Sequence, residues 1–395
     1  MNKNSRKLFV GLCAAAVVGL FSAGVRAEDK IAPGTMDFLA STTISGYVDV
    51  MYSYDFDGSD QQGLSPNGIA GAGGIGPRRN DFTLAQFKLT LDKPLDKSDW
   101  AAGYRVDIVG GQDAGYANPT LTTGNNITLQ QAYVNARIPV GNGLEVKAGT
   151  YAAPFGSEVF ETPSNYNITR SAIYLFAQPT SFTGIQFSYT WDLGGATLDA
   201  SAGIANNWNA VADTNSSKDY YGVLKVTWWD GKASIATGGV FGTENVNGTG
   251  DDDQDYRFLW DTVVTVKPNE KWTFSLNGDW GQESFNDTGT GTPHNAFWGL
   301  SGIVHYKVSD KWDVALRGEF FSDNEQFAAG NTRTLFPGGV DVWSVTGTFN
   351  FNIWKNLLTR FEVRYANASE LVFNPFTTFA EDASLGIVFE AAYLF

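Results

Sequence analysis

One cysteine, two histidines and three methionines leave this 395-residue chain short of thiolate and imidazole ligands and of general bases. The cysteine, Cys13, lies in an N-terminal segment read below as a leader, so disulfides and thiolate metal sites are excluded from the rest of the chain. Long apolar runs are just as scarce. Beyond residue 27 no stretch approaches the roughly 18 residues of a membrane-spanning helix, and a membrane could be crossed only by strands closed into a barrel. Positive charge is also in short supply, with 27 Lys and Arg against 42 Asp and Glu and a net charge of -15. That balance speaks against nucleic acid as a partner. No phosphate loop, dinucleotide fingerprint or metal-ligand spacing occurs, so no cofactor is expected.

What the chain does have begins with a leader. Lys3, Arg6 and Lys7 precede the apolar run LFVGLCAAAVVGLF, and Val25 and Ala27 supply small residues for cleavage, which predicts a signal peptide over 1–27. Leu12 stands before Cys13 where a lipoprotein signal would carry a small residue, so no lipid anchor is expected. The leader contains Lys3, Arg6, Lys7 and Arg26, and a charge of -15 minus four leaves the mature chain at -19. Residues 28–41 carry no clear pattern and are read as a periplasmic segment, with residues 42–395 forming the barrel.

The body alternates with period two. In ISGYVDVMYSYDF, Ile44, Gly46, Val48, Val50 and Tyr52 share one face, while Ser45, Tyr47, Asp49 and Ser53 share the other. About sixteen such segments are read, the first over 44–55 and the last over 384–395, with fourteen or eighteen left open by two weakly patterned hairpins. The class is all-β, and the connections sort by parity. Turns after even strands are short (PVGNG, DLGG, DGK, KPNE), whereas loops after odd strands are long, as in an up-and-down antiparallel transmembrane β-barrel. Trp100, Trp191, Trp228, Trp229, Trp272, Trp312 and Trp354 fall beside the short turns, and Trp208, Trp280, Trp298 and Trp343 toward the long loops, predicting two interfacial girdles. At the end of the chain Leu385, Ile387, Phe389, Ala391, Tyr393 and Phe395 form an apolar face. Tyr393 and Phe395 are read as the signal recognised by outer-membrane barrel-assembly machinery.

If the apolar faces meet lipid, the opposite faces line a lumen. Lys88, Arg105, Asp107, Arg137, Glu145, Lys147, Arg317, Glu319, Arg360, Glu362 and Arg364 then lie on its wall. Both signs occur, which argues against a strongly one-signed filter. Acidic runs at 55–60, 251–255 and 322–325 would concentrate cations at the mouth. The run DDDQD lacks the Gly and distal Glu of a calcium loop. His305 and Ser301 alternate inward on one strand, but no orienting carboxylate is evident, so no enzyme is expected.

The segments GYVDVMYSYDF (46–56) and KAGTYAAPFGSEVFETPSNYNITR (147–170) resemble the putative β-barrel porin-2 family of Gram-negative outer membranes. The resemblance implies a pore for small hydrophilic solutes and ions, set in outer-membrane lipid and lipopolysaccharide, with no catalytic residues. APFGSE also resembles the Pro-Phe-Gly turn in the third loop of sixteen-stranded general porins, which folds into the lumen. By that likeness the loop over 153–180 is expected to turn inward, with Glu158 and Glu161 facing Arg105, Arg137, Lys147, Arg360 and Arg364 across the channel. A homotrimer is expected by the same analogy. Two other readings stay open. One is a channel preferring sugars or oxyanions such as phosphate, suggested by Tyr151, Tyr166, Tyr174 and Phe176. The other is a structural or adhesive barrel.

Overall fold

The computed structural model describes residues 41–56, 80–97, 100–117, 126–213, 217–243, 256–284, 294–323, 339–370 and 382–395. The expected leader, nearly all of the first long loop and most of the acidic runs lie outside them.

Sixteen strands are found among the described residues. They are β1 (Thr43–Asp55), β2 (Phe82–Lys93), β3 (Ala101–Gly110), β4 (Ile127–Ile138), β5 (Leu144–Ala152), β6 (Ser181–Asp192), β7 (Ala196–Ala205) and β8 (Asp219–Trp228). The second half comprises β9 (Ala233–Thr243), β10 (Tyr256–Val266), β11 (Trp272–Ser284), β12 (His294–Lys307), β13 (Trp312–Asp323), β14 (Val340–Trp354), β15 (Leu357–Ala368) and β16 (Ala383–Leu394). Each is bonded to its sequence neighbours, and β16 closes on β1, so the sheet has no free edge.

Closure is made at the chain's last residue. Tyr47 pairs with Leu394 and Asp55 with Gly386, and Gly46 and Phe395 exchange two backbone hydrogen bonds of 2.9 Å. Gly46 is required there because a Cβ would lie 2.8 Å from the Phe395 ring and would collide with the Lys88 carbonyl. The short connection after β8 turns through left-handed Trp229 (φ 57) and Asp230 (φ 52), and Lys232 N–H donates to the Trp229 carbonyl at 3.0 Å.

The two faces divide as the alternation requires. Outward residues such as Leu316, Val345 and Phe389 are exposed, an apolar outer face of the kind that transmembrane barrels turn to lipid. The tryptophans named for the two girdles are exposed, Trp208 excepted, and Trp260 joins them on the outer face. Trp208 departs from expectation. It packs against the internal apolar cluster, and the Arg257 guanidinium lies 4.9 Å from its ring, because its loop turns into the barrel mouth.

The apolar core sits inside the barrel. Ile173, Phe176 and Ala177 of the long segment between β5 and β6 pack with Phe297, Phe321 and Val342 of the wall. That segment, the third loop, is the main occupant of the lumen.

Candidate functional site: the lumen and its third loop

The loop enters the barrel at Pro154 and Gly156. Gly156 has φ +81, and a Cβ there would collide with the Gln178 side-chain amide, so both the turn and its packing need glycine. At this entry Ser157 N–H donates to Asn277 Oδ1 at 3.0 Å. Gln178 Nε2 donates to Asp279 at 2.8 Å and to Asn277 at 3.1 Å, tying both ends of the loop to β11.

Deeper in, the wall's charged side chains grip the loop backbone. Glu362 accepts from the N–H groups of Ile168 (2.7 Å) and Thr169 (3.0 Å), and Glu319 accepts from Ala172 N–H at 2.6 Å. Arg360 donates to the carbonyls of Asn165 (2.7 Å) and Thr162 (2.9 Å). Arg317 donates to the Thr169 carbonyl and, at 3.2 Å, to that of Arg170. A loop drawn into a barrel must satisfy its backbone polar groups away from bulk water, and these side chains meet that need. Within the loop Arg170 plays the same part, donating to the carbonyls of Val159, Phe160 and Ile168.

The two glutamates of the loop do not face the expected cations. Glu158 forms an ion pair with Arg317 at 2.7 Å and accepts from Ser171 N–H at 2.9 Å. Glu161 meets Lys88 and accepts from Gln130 at 3.0 Å. Burial alone would push the Glu161 carboxyl up, but the Lys88 ammonium and the hydrogen bonds outweigh it and hold the group below its ordinary range. Arg360 is held by Glu390 and Arg364 by Glu319, the latter at 3.0 Å. Arg105 bonds Asp107 at 3.0 Å, and Arg137 lies 3.6 Å from Glu145. The pattern of opposed charges across open water is replaced by contact pairs, because the loop lies against the wall instead of hanging free within the lumen.

The aromatic residues expected beside a constriction are likewise absorbed into packing. Tyr174 and Phe176 are buried in apolar clusters, and the buried Tyr151 hydroxyl accepts from Tyr221 at 3.0 Å. Tyr166 stacks on His305 with centroids 4.3 Å apart. His305 does have a carboxylate partner, Asp313 at 3.0 Å, which corrects the expectation that none would orient it. Ser301 stands four residues away on the same strand, about 13 Å along it, so no nucleophile–base pair forms.

The contacts are lopsided around the barrel. Lumenal side chains of β13–β16, such as Arg317, Thr346, Glu362 and Glu390, are buried beneath the loop. On β3–β8, Arg105, Gln131, Asn135, Lys147, Gln186, Ser188 and Asp199 stay half-exposed, and Glu145 and Lys225 are exposed. Arg170, Asn277 and Gln178 were missed as loop anchors by sequence reasoning, as was Glu390, which holds Arg360 beneath the loop. Arg170 and Glu390 left traces there, the first as the one cation of a long polar and apolar loop and the second as the one acid on the inward face of the last strand.

The family described as putative beta-barrel porin-2, OmpL-like, matches residues 41–395. Among solved structures, the barrel is similar to the outer membrane channel DcaP of Acinetobacter baumannii, with TM-score 0.57, 13% identity and coverage of 90% of this chain and 97% of that one. It is also similar to the anion-selective porin of Comamonas acidovorans, with TM-score 0.56, 15% identity and coverage of 90% and 99%. The trimer form of OmpT of Vibrio cholerae gives TM-score 0.54 at 11% identity, covering 90% and 99%. No curated protein matches the chain. At these identities the structural likeness concerns the fold.

Proposed function

Because this chain belongs to the putative beta-barrel porin-2 family, we propose that it works as a passive diffusion channel of the outer membrane for small hydrophilic solutes and ions. The observation that carries the reading is the division of the lumen. The third loop is fastened to one side, while β3–β8 present a polar, incompletely covered wall that includes Gln131, Asn135, Gln186 and Ser188. Barrels of about 16 strands leave room for an aqueous channel, and a wall of amides and hydroxyls keeps such a channel wet. No chemical step is needed.

Weak cation preference is part of the proposal. The acidic runs near the long loops would raise cation concentration within a screening length of about 8–10 Å of the mouth. Arg105, Arg137, Lys147 and Lys225 against Asp92, Glu145 and Asp199 leave the uncovered wall nearly balanced. A cleaved leader over 1–27, a periplasmic segment over 28–41, insertion by assembly machinery reading Tyr393 and Phe395, and a homotrimer in lipid and lipopolysaccharide complete the reading. The trimer form of OmpT supports the last by analogy.

Single-channel recording of the refolded mature chain in a planar bilayer under a salt gradient tests it. Steady ohmic conductance with a small cation-directed reversal potential is expected. A demonstrably folded barrel that passes no current would defeat the proposal and favour an anchoring barrel. A substrate-preferring channel is the second reading, favoured by the cations at Arg105 and Lys147.

A further inference from the structure

Resting on the channel reading, we propose that Arg105 and Lys147, set on either side of Tyr133, form an oxyanion-binding subsite on the uncovered wall of the lumen.

The register brings the three together. Arg105 of β3 is opposite Tyr133 of β4, and Lys147 of β5 is opposite Asn135, two residues further along β4 on the same face. Neighbouring strands lie about 4.8 Å apart, so two long cationic side chains rise within reach of one ring. Lys147 Nζ lies 4.8 Å from the Tyr133 centroid and 5.3 Å from that of Tyr151. Gly149, opposite Tyr133, has φ +134, and a Cβ there would come within 2.7 Å of the Tyr133 Cα. Glycine therefore lets β4 and β5 close at this row.

The charge inventory shows what these two cations leave unspent, although Arg105 also stands in a contact ion pair, with Asp107 at 3.0 Å. Arg137, Arg257, Arg317, Arg360 and Arg364 each stand in a contact ion pair. Lys147 has no carboxylate within ion-pair distance among the described residues, and its ammonium rests on tyrosine faces. Arg105 uses only Nε on Asp107, which leaves its terminal amino groups unbonded among the described residues. Asp107 is itself fully buried and shared with Lys88 at 2.9 Å and Gln131 at 2.8 Å. Of the remaining nearby acids, Glu145 faces Arg137, and Asp92, opposite Arg105 on β2, makes no ion pair with it among the described residues. Planar guanidinium donors beside a free ammonium suit a carboxylate or phosphate group. Asn135 and Gln186, the cross-strand partners of Lys147, frame the site with amides.

The test uses current block of the refolded mature channel in potassium chloride. Sodium benzoate and inorganic phosphate carry the oxyanion, and benzamide is the neutral counterpart of benzoate. Saturable block by benzoate, by phosphate or by both is expected, and which of the two blocks identifies the source of the oxyanion. Benzamide should leave the current unchanged. Arg105→Gln and Lys147→Gln should each weaken block about tenfold, Lys147→Arg should retain it, and Lys225→Gln, three strands away, should leave it within about twofold. Equal block by benzamide, absence of block in an ohmic wild-type channel, or unchanged block in both Gln variants would overturn the subsite while leaving the porin standing. A folded wild type without conductance would instead defeat the channel reading beneath it.

Discussion

Arg317 is a guanidinium on a barrel wall that meets no water. It is fully buried, paired with Glu158 at 2.7 Å and bonded to Thr169 Oγ1 at 3.1 Å. Removing one member of such a pair leaves the other as a buried, uncompensated charge, at a cost of about 3–5 kcal/mol, whereas removing both costs far less. Glu158→Ala and Arg317→Met are therefore each expected to lower unfolding stability in detergent by that order, and the double variant by clearly less than the sum. Urea unfolding followed by tryptophan fluorescence checks this, and additive losses would show that the pair does not act as a unit. Glu161 gives the corresponding pH dependence. Its carboxyl is held below the ordinary range, so its stabilising contribution is complete above the unfolded value of about 4.3 and disappears only as pH falls through the lower, folded value. Limited proteolysis within the third loop should accordingly stay slow at pH 5 and rise only in stronger acid. In Glu161→Gln, cleavage should already be faster at neutral pH and lose that acid step.

At the level of elements, the strands were legible and the loop's docking was not. Period-two alternation placed the first segment over 44–55 and the last over 384–395, each end within one residue of where the strand lies, because each strand separates a lipid face from a lumenal face and a slip by one residue would exchange them. Turn length by parity followed from the same architecture. The third loop's inward path was legible only through the likeness of APFGSE to a known turn, since neither its composition nor any period distinguishes a loop that turns inward from one on the surface. Its partners were beyond reach for a physical reason. Glu158 meets a residue 159 positions away and Ile168 one 194 positions away, and pairings at that separation are set by barrel closure. Alternation puts the wall arginines and glutamates on the face opposite the apolar one, but it says nothing about whether water or a loop backbone covers that face. Lys147 and Arg105 show the other side of this limit, because the lack of a carboxylate partner for Lys147 among the described residues and the unbonded terminal amino groups of Arg105 emerge only once the contacts of the wall are known.

For the molecule as a whole, the uneven placement of the loop separates what holds the barrel's interior together from what a solute would meet. Every strand is bonded on both sides, and Phe395 closes the ring against Gly46, so the sheet owes none of its backbone pairing to the loop. A chain in which residues 155–178 are replaced by a short glycine-serine turn is thus expected to fold and to conduct several-fold more current than wild type. Its selectivity should also move in a definite direction. The wall uncovered by the deletion carries Arg317, Arg360 and Arg364, two of them already matched by Glu390 and Glu319, together with Glu362, Asp49, Asp261, Asp279 and Asp313. Acids outnumber cations on that side, so the reversal potential under a salt gradient should shift toward cations, and the shift should shrink at high ionic strength as the wall charges are screened. A shift toward anions, or a deletion with unchanged conductance, would mean that the third loop does not cover the acidic side of the path.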